Sequence, residues 1–379
     1  GFAGRIGHGG RMAGWVRAQY LLGVGLVPLT TLWFQRAALV APLANLVAVP
    51  WVSLAVVPLV LLGALVSLVY APLGGAVLQL ASWCLVPLWW MLEPMAGRPE
   101  LVWVRASPGV VELGQAGLGI MWMLLPRGVP GRLLGAFCCL PLLLPAPVRP
   151  PYGTAEVTLL DVGQGLAAVV NTRNHTLLFD AGPRFSPDFD TGAAVVVPFL
   201  RDRGVGRIDT FIVSHGDNDH VGGAASVLAA LPVGRLLSSD PAHGDLGRRA
   251  GPCEAGQHWA WDGVEFEMLH PGPAYRGSEN NGSCVLQVRA ADQAVLFSAD
   301  IEAEAEWALV QAWGDNLQSE VLIVPHHGSN TSSTDHFLEA VRPERALVPR
   351  GYRNRFGFPK PEVLARYRAA GVPVAKLHL

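Results

Sequence analysis

The run Phe211-Ile212-Val213-Ser214-His215-Gly216-Asp217-Asn218-Asp219-His220-Val221-Gly222-Gly223 decides how the rest of the chain is read. Its first three residues form the end of an apolar strand. Within the next six positions past Ser214 stand four groups able to ligate a metal: His215, Asp217, Asp219 and His220. Imidazoles and carboxylates together suit zinc or manganese, and the carboxylate share tilts toward the harder ion. A calcium loop would need Asp-x-Asp-x-Asp-Gly spacing with a later Glu, which is absent. The plainer reading is an Asp-rich helix cap.

Two further clusters stand at the ends of apolar runs. Asp300 follows Val295-Leu296-Phe297-Ser298-Ala299, and His326-His327-Gly328-Ser329 follows Val321-Leu322-Ile323-Val324-Pro325. Three strand-end loops can thus converge. Around them, short β-branched runs bounded by Gly, Asp and Asn predict strands over 155–160, 166–171, 175–179, 207–213, 262–269, 284–289, 293–298, 319–324, 345–348 and 373–377. Helices are expected over 191–202, 221–231, 302–313, 333–341 and 361–370. Strands first, then strands alternating with helices, predict an α/β sandwich whose helices cover two sheets. Gly163-x-Gly165-x-x-Ala168 is a weak dinucleotide fingerprint, because a short strand follows it. No Gly-x-x-x-x-Gly-Lys-Ser/Thr loop exists, so the chain is no NTP-driven motor by itself.

Upstream of the Pro-rich linker from Pro145 to Pro151 the composition is different in kind. The chain is 51% hydrophobic and 15% charged over 379 residues, well below the usual charged share of about 25%. Residues 1–150 hold nine Arg and three Glu with no Lys or Asp, for a net +6, which leaves −8 for the rest. Residues 37–92 contain no charged side chain at all, whereas about 20 apolar residues suffice to span a bilayer as helix. Candidate spans are 18–34, 37–71, 73–92, 108–126 and 131–147. Pro42, Pro50 and Pro58 mark 37–71 as a broken or re-entrant segment. Trp33, Trp89, Trp90 and Trp103 fall near span ends, where indoles favour the headgroup level. One pass of 37–71 places the C-terminal part opposite Arg5, Arg11 and Arg17, and two passes place it on the same side; the Arg count leans toward a cytoplasmic C-terminal part. A secretory signal peptide does not fit so long an apolar region, and the chain reads as part of a longer membrane protein. The five Cys form no Cys-x-x-Cys pair and support neither a zinc ribbon nor a disulfide framework.

The motifs His215-x-Asp217-x-Asp219-His220, Asp161-Val162-Gly163-Gln164-Gly165, Phe179-Asp180-Ala181-Gly182, Ser298-Ala299-Asp300 and Pro325-His326-His327-Gly328-Ser329 resemble the metallo-β-lactamase-fold domain of ComEC-type competence proteins. That resemblance covers about 154–379, and Ala44-Asn45-Leu46-Val47-Ala48-Val49-Pro50 is similar to the last spans of the same family's channel domain. It implies α-helical transmembrane segments over 1–148 followed by an α/β metallo-β-lactamase-like αββα sandwich over 154–379. The implied protein is a multi-pass inner-membrane channel for DNA uptake in natural transformation, with its soluble domain on the non-cytoplasmic side. That domain would be a metal-dependent nuclease degrading the strand that is not imported. Implied partners are single- and double-stranded DNA, membrane lipid and other competence proteins.

Carried over by motif, His215 and Asp217 would hold one divalent metal and Asp219 and His220 the other, with Asp300 bridging and His326 completing the second. Asp217 stands where the wider superfamily has His, which favours manganese and leaves zinc open. Two such cations could clamp a phosphodiester and acidify a water, with Asp219 as general base. His327 would contact phosphate, Ser283 would face the metals from the Asn281-Gly282-Ser283 stretch, and Asp161 and Gln164 would shape the site. The family reads Asn-Arg-Phe/Tyr-Gly-His-Pro-His-Pro where this chain has Asn354-Arg355-Phe356-Gly357-Phe358-Pro359-Lys360-Pro361, so two imidazoles are missing and Lys360 is left as a point charge for phosphate. Two other readings remain open: a membrane-anchored metallohydrolase of another substrate, and a catalytically silent scaffold on a DNA channel.

Overall fold

The computed structural model describes residues 14–15, 19, 22–23, 25–30, 32–33, 36–96, 98, 102–104, 108–125, 129–143, 149–272, 275 and 279–376. The chain divides into two compact units, 1–146 and 147–379.

In the first unit, residues Ala41–Ser67 form one apolar helix of 27 residues, about 40 Å long at the α-helical rise. The expected break does not occur. Pro42 and Pro58 sit in first-turn positions of the helical segments, where a missing N–H costs little. A π-turn over Val52–Val56, in which Val57 N–H bonds to Val52 O, carries the helix on past Pro50. The following helix, Ala71–Ala96, is also long and apolar enough to cross a membrane. The two lie close through small residues: a Cβ on Gly63 would stand 2.8 Å from Leu78 Cγ, and one on Gly74 would collide with Ser67. The third helix, Val110–Leu124, has 15 residues, fewer than a span needs. The described part of the expected span 131–147, residues 131–143, forms a 3-10 turn at Arg132–Leu134 and short helices at Gly135–Cys138 and Leu140–Leu143, and 144–147 lie outside the described residues. Within the expected span 18–34 the described residues, 19, 22–23, 25–30 and 32–33, are helical. Strand β1 (Arg36–Ala38) pairs antiparallel with β2 (Val102–Val104).

The second unit opens with β3 (Glu156–Leu159), β4 (Ala168–Asn171) and β5 (Thr176–Phe179), which pair antiparallel. A hairpin of β6 (Arg184–Ser186) and β7 (Phe189–Asp190) follows. Then β8 (Ile208–Val213), β9 (Val233–Ser238) and β10 (Gly251–Pro252) add in parallel to complete a six-stranded sheet ordered β10-β9-β8-β5-β4-β3. The other sheet has seven strands in chain order: β11 (His258–Trp261), β12 (Val264–His270), β13 (Val285–Ala290), β14 (Gln293–Phe297), β15 (Val321–Ile323), β16 (Arg345–Val348) and β17 (Val374–Lys376). It is antiparallel up to β14 and parallel from β14 onward.

Alternation along single strands builds the layers. Leu177 and Phe179 of β5 join Ile212, Phe266, Leu286 and Phe297 between the sheets. Leu178, between them, faces Val197, Leu200 and Val227 of the helices outside the first sheet. On the far side Leu296 and Leu322 pack with Leu309, Phe337 and Tyr367 of the other helix layer. The architecture is an αββα sandwich. The sequence reading of the cysteines needs correction: Cys253 and Cys284, 31 residues apart, form a disulfide. It links the end of β10 to the start of β13, and thus one sheet to the other.

Candidate metal centre

The centre lies where β5, β8, β14 and β15 end. After β8 the chain turns into a short helix, Asn218–Val221, with Asp217 at its N-cap position. His220 N–H and Val221 N–H both bond back to Asp217 O. This tight turn sets His215 and His220 beside each other, ring centroids 4.2 Å apart and both fully buried.

Their orientation is fixed by Asp180, at the end of β5, a residue absent from the predicted site. Its buried carboxylate accepts from Ser214 N–H at 2.6 Å, from the Ser214 hydroxyl at 2.8 Å and from His220 Nδ1 at 2.7 Å. With the Ser214 proton committed to Asp180, Ser214 Oγ is left to accept from His215 Nδ1 at 3.0 Å. His327 Nδ1 donates to Pro349 O at 2.7 Å, since a carbonyl can only accept. All three imidazoles are thereby held with a protonated Nδ1, and Nε2 carries the lone pair when the ring is neutral.

Those Nε2 atoms meet the carboxylates. His220 Nε2 is 3.1 Å from Asp300 Oδ1. His327 Nε2 is 3.3 Å from Asp219 Oδ2, Asp300 Oδ2 and His220 Nε2 alike. His215 Nε2 lies 3.4 Å from Asp217 Oδ2 and has no hydrogen bond among the described residues, although it is buried. His215, His220 and Asp300 form one group with metal-ligand spacing, and Asp219, His220 and His327 another.

The electrostatics have one sign. Burial alone would lower the pKa of His220, but Asp300 and Asp180 overcome it and hold the ring well above the ordinary imidazole value. His327 is likewise pulled up to about 9 against its burial, by Asp300 and Asp219. Asp300 is held well below the usual carboxylate range by His220 and His327, although burial opposes this. Asp219 is lowered against its burial by His327 and His220, and Asp217 by the His215 imidazole beside it. Carboxylates that draw protons onto buried imidazoles make a pocket that favours positive charge, and a divalent cation satisfies the same groups with the rings neutral. The donor set fits such ions.

The two adjacent histidines divide differently from the sequence expectation. His327 enters the group, while His326 Nε2 stays 3.9 Å from Asp300 and its Nδ1 faces Glu302 at 3.4 Å and Thr331 Oγ1 at 3.3 Å. Both residues have left-handed backbone, φ 48° and 53°, and this twist after β15 decides which ring points inward. Ser283 is buried beside the first loop, since Cys284 N–H bonds to Ser214 O, and its hydroxyl has no hydrogen-bond partner among the described residues. The Gln164 carboxamide is buried in the same condition. Asn281 instead accepts from Glu302 N–H through its side chain and from His270 Nε2 through its carbonyl, so it braces its loop. Asp161 accepts from Gly163 N–H within its turn. Lys360 donates to Phe356 O at 2.7 Å and lies over the Phe358 ring. Gly165, φ 137°, lets its turn approach the first loop: a Cβ there would stand 3.0 Å from Asp219 Cβ.

Residues 160–351 match the metallo-beta-lactamase superfamily, and residues 4–129 match a family described as competence protein. The chain is 38% identical over 377 residues to competence protein ComA of Neisseria gonorrhoeae, covering 100% of this chain and 52% of that protein. It is 31% identical over 359 residues to the uncharacterized protein YcaI of Escherichia coli, covering 91% and 45%. The chain thus spans about half the length of these curated relatives. A solved metallo hydrolase from Ignicoccus hospitalis aligns at 18% identity with a TM-score of 0.42, covering 59% of this chain and 96% of that one. Metallo-beta-lactamase folds imply divalent metal ions and metal-dependent hydrolysis. This chain belongs to the metallo-beta-lactamase superfamily through its C-terminal unit, and carries a competence-protein domain ahead of it.

Proposed function

We propose that the chain serves DNA uptake from the inner membrane, with its C-terminal unit a two-metal nuclease that degrades the strand left outside. The observation that carries this reading is the convergence of three oriented imidazoles and three carboxylates in a chain that also has a competence-protein domain. His215 and Asp217 would hold one ion, Asp219, His220 and His327 the other, with Asp300 between them. When bound, such ions supply charge that neutralises a phosphodiester and makes a nearby water acidic. Asp219, partly open to solvent, is the group placed to take the proton of the attacking water, so no nucleophilic side chain is needed. Asp180 and Pro349 O hold the imidazoles in the ligating tautomer throughout. Asp217 in place of an imidazole favours manganese over zinc.

The two helices long and apolar enough to cross a membrane support a multi-pass inner-membrane protein. The Cys253–Cys284 disulfide supports placing the C-terminal unit on the oxidising, non-cytoplasmic side, against the lean of the Arg count. Single- and double-stranded DNA, lipid and other uptake proteins are the partners this reading requires. It is tested by incubating the full chain in detergent with linear DNA and manganese, magnesium or zinc. Metal-dependent cleavage that vanishes in Asp219→Ala supports it; a folded, metal-loaded chain that cuts no DNA overturns it.

A further inference from the structure

Four aromatic rings stand in solvent around the turn that borders the metal centre. On the β6–β7 hairpin, Phe185 and Phe189 are 62% and 53% exposed and stack on each other at 5.7 Å. In the loop after β16, Tyr352 and Phe356 are 66% and 43% exposed. Glycines bring the Phe185 ring and the start of the loop that carries Tyr352 and Phe356 to one place. A Cβ on Gly163 would stand 3.9 Å from the Phe185 ring, and one on Gly351 would stand 3.0 Å from Gly163 C and 2.8 Å from Gln164 N. The same turn reaches Asp219 through Gly165, so the hairpin rings and the base of the Tyr352 loop border the turn that carries the approach to the metal ligands.

Solvent-exposed rings in a folded unit mark a binding surface, and the charges around these four select its occupant. Residues 345–360 contain Arg345, Arg350, Arg353, Arg355 and Lys360 and no carboxylate, in a part of the chain whose net charge is −8. Arg353 lies 5.2 Å over the Tyr352 ring and Arg355 4.8 Å over Phe356. Neither Arg forms an ion pair with a carboxylate among the described residues. Flat faces interleaved with guanidinium groups suit a polyanion with flat faces of its own, which is an unpaired nucleic-acid strand. In a duplex the bases are stacked on one another and cannot reach such rings.

Resting on the nuclease reading above, we infer that these rings form a base-stacking platform that feeds single-stranded DNA to the metal centre. Bases stack on Phe185 and Phe189 on one side of the Gly163 turn and on Tyr352 and Phe356 on the other, with Arg353 and Arg355 drawing the phosphates along. Selection of the single strand is then a property of this rim, separate from the cleaving groups.

The test is fluorescence anisotropy of the full chain in detergent with EDTA, so that no strand is cut. The probes are labelled oligo(dT), an abasic strand of equal length and the matching duplex. Oligo(dT) should bind more tightly than either control. Phe185→Ala and Phe356→Ala, both at exposed positions, should each weaken oligo(dT) about tenfold or more, the loss of one stacked base, and leave the abasic strand unchanged. Phe356→Trp should retain binding. Equal affinity for oligo(dT) and the abasic strand, or no loss in either Ala variant, would overturn the platform and leave these rings as a protein-docking face. The metal centre is scored separately, on the unmodified chain, by metal-dependent cleavage of bis(para-nitrophenyl) phosphate. Cleavage without base-dependent binding sinks the platform alone, and base-dependent binding without cleavage sinks only the nuclease.

Discussion

The two units use the same apolar residues against different surroundings. In the N-terminal unit Leu54, Leu68, Val69 and Trp90 are 80%, 84%, 90% and 78% exposed, and glycines such as Gly63 and Gly74 make the close helix contacts. In the C-terminal unit every residue of β4 and β5 is buried. Polar groups divide the same way. Helical backbone bonds its own polar groups, as a spanning segment must, while the C-terminal unit buries charged groups both at the metal centre and, at Glu306, away from it. A 51% hydrophobic chain therefore joins apolar helices that expose their side chains, two of them long enough to cross a membrane, to a sandwich that buries its apolar residues.

Truncation tests that contrast most strongly. Phe179→Ala, in the inter-sheet core, should destabilise the C-terminal unit by about 3–5 kcal/mol. Trp90→Ala should change the same unit by less than about 0.5 kcal/mol. Denaturant midpoints followed by hydrogen exchange of the β-strands measure both, and equal effects would erase the distinction between the units.

Much of this division was legible in the chain, because uncharged length and the ligand-rich loop are both contiguous signals. The α/β sandwich followed from strands giving way to strands alternating with helices, its metallo-β-lactamase-like form from the resemblance of its motifs, and most of its strands from their apolar runs. Strand β9 escaped because Gly234 and Arg235 interrupt its run, and only Leu236, Leu237 and Ser238 are buried. Strand β11, an edge with half-exposed alternation, gave no clear run either. The choice between His326 and His327 depends on two left-handed backbone angles that neighbouring letters do not encode. Asp180 did carry a signal, an Asp directly after an apolar strand, the same one that marked Asp300. Cys253 and Cys284 meet only because both sheets have formed.

Acid–base behaviour sharpens the comparison next. Outside the metal centre, Glu306 is fully buried and caps Ser333 and Thr334 N–H. Burial raises its pKa to about 7, although those N–H groups pull the other way. A carboxyl raised on folding stabilises at low pH and loses that contribution as pH climbs toward the folded value. Unfolding free energy should therefore fall by up to about 3 kcal/mol between pH about 4.5 and about 7. In Glu306→Gln that slope should flatten, which denaturant melts across this window would show.

A smaller effect is expected from the group that orients the metal ligands. Asp180→Asn removes the charge behind His220 Nδ1 and should weaken metal binding about 10–100-fold, as read by metal titration, with the sandwich still folded. An unchanged affinity would mean that the Asp180 contacts serve packing alone.

The metal content of the two histidine variants tests the centre most directly. Elemental analysis of the full chain, reconstituted with manganese, should find metal retained in His326→Ala and reduced in His327→Ala. Loss of metal in His326→Ala with full retention in His327→Ala would contradict the geometry on which the proposed chemistry rests.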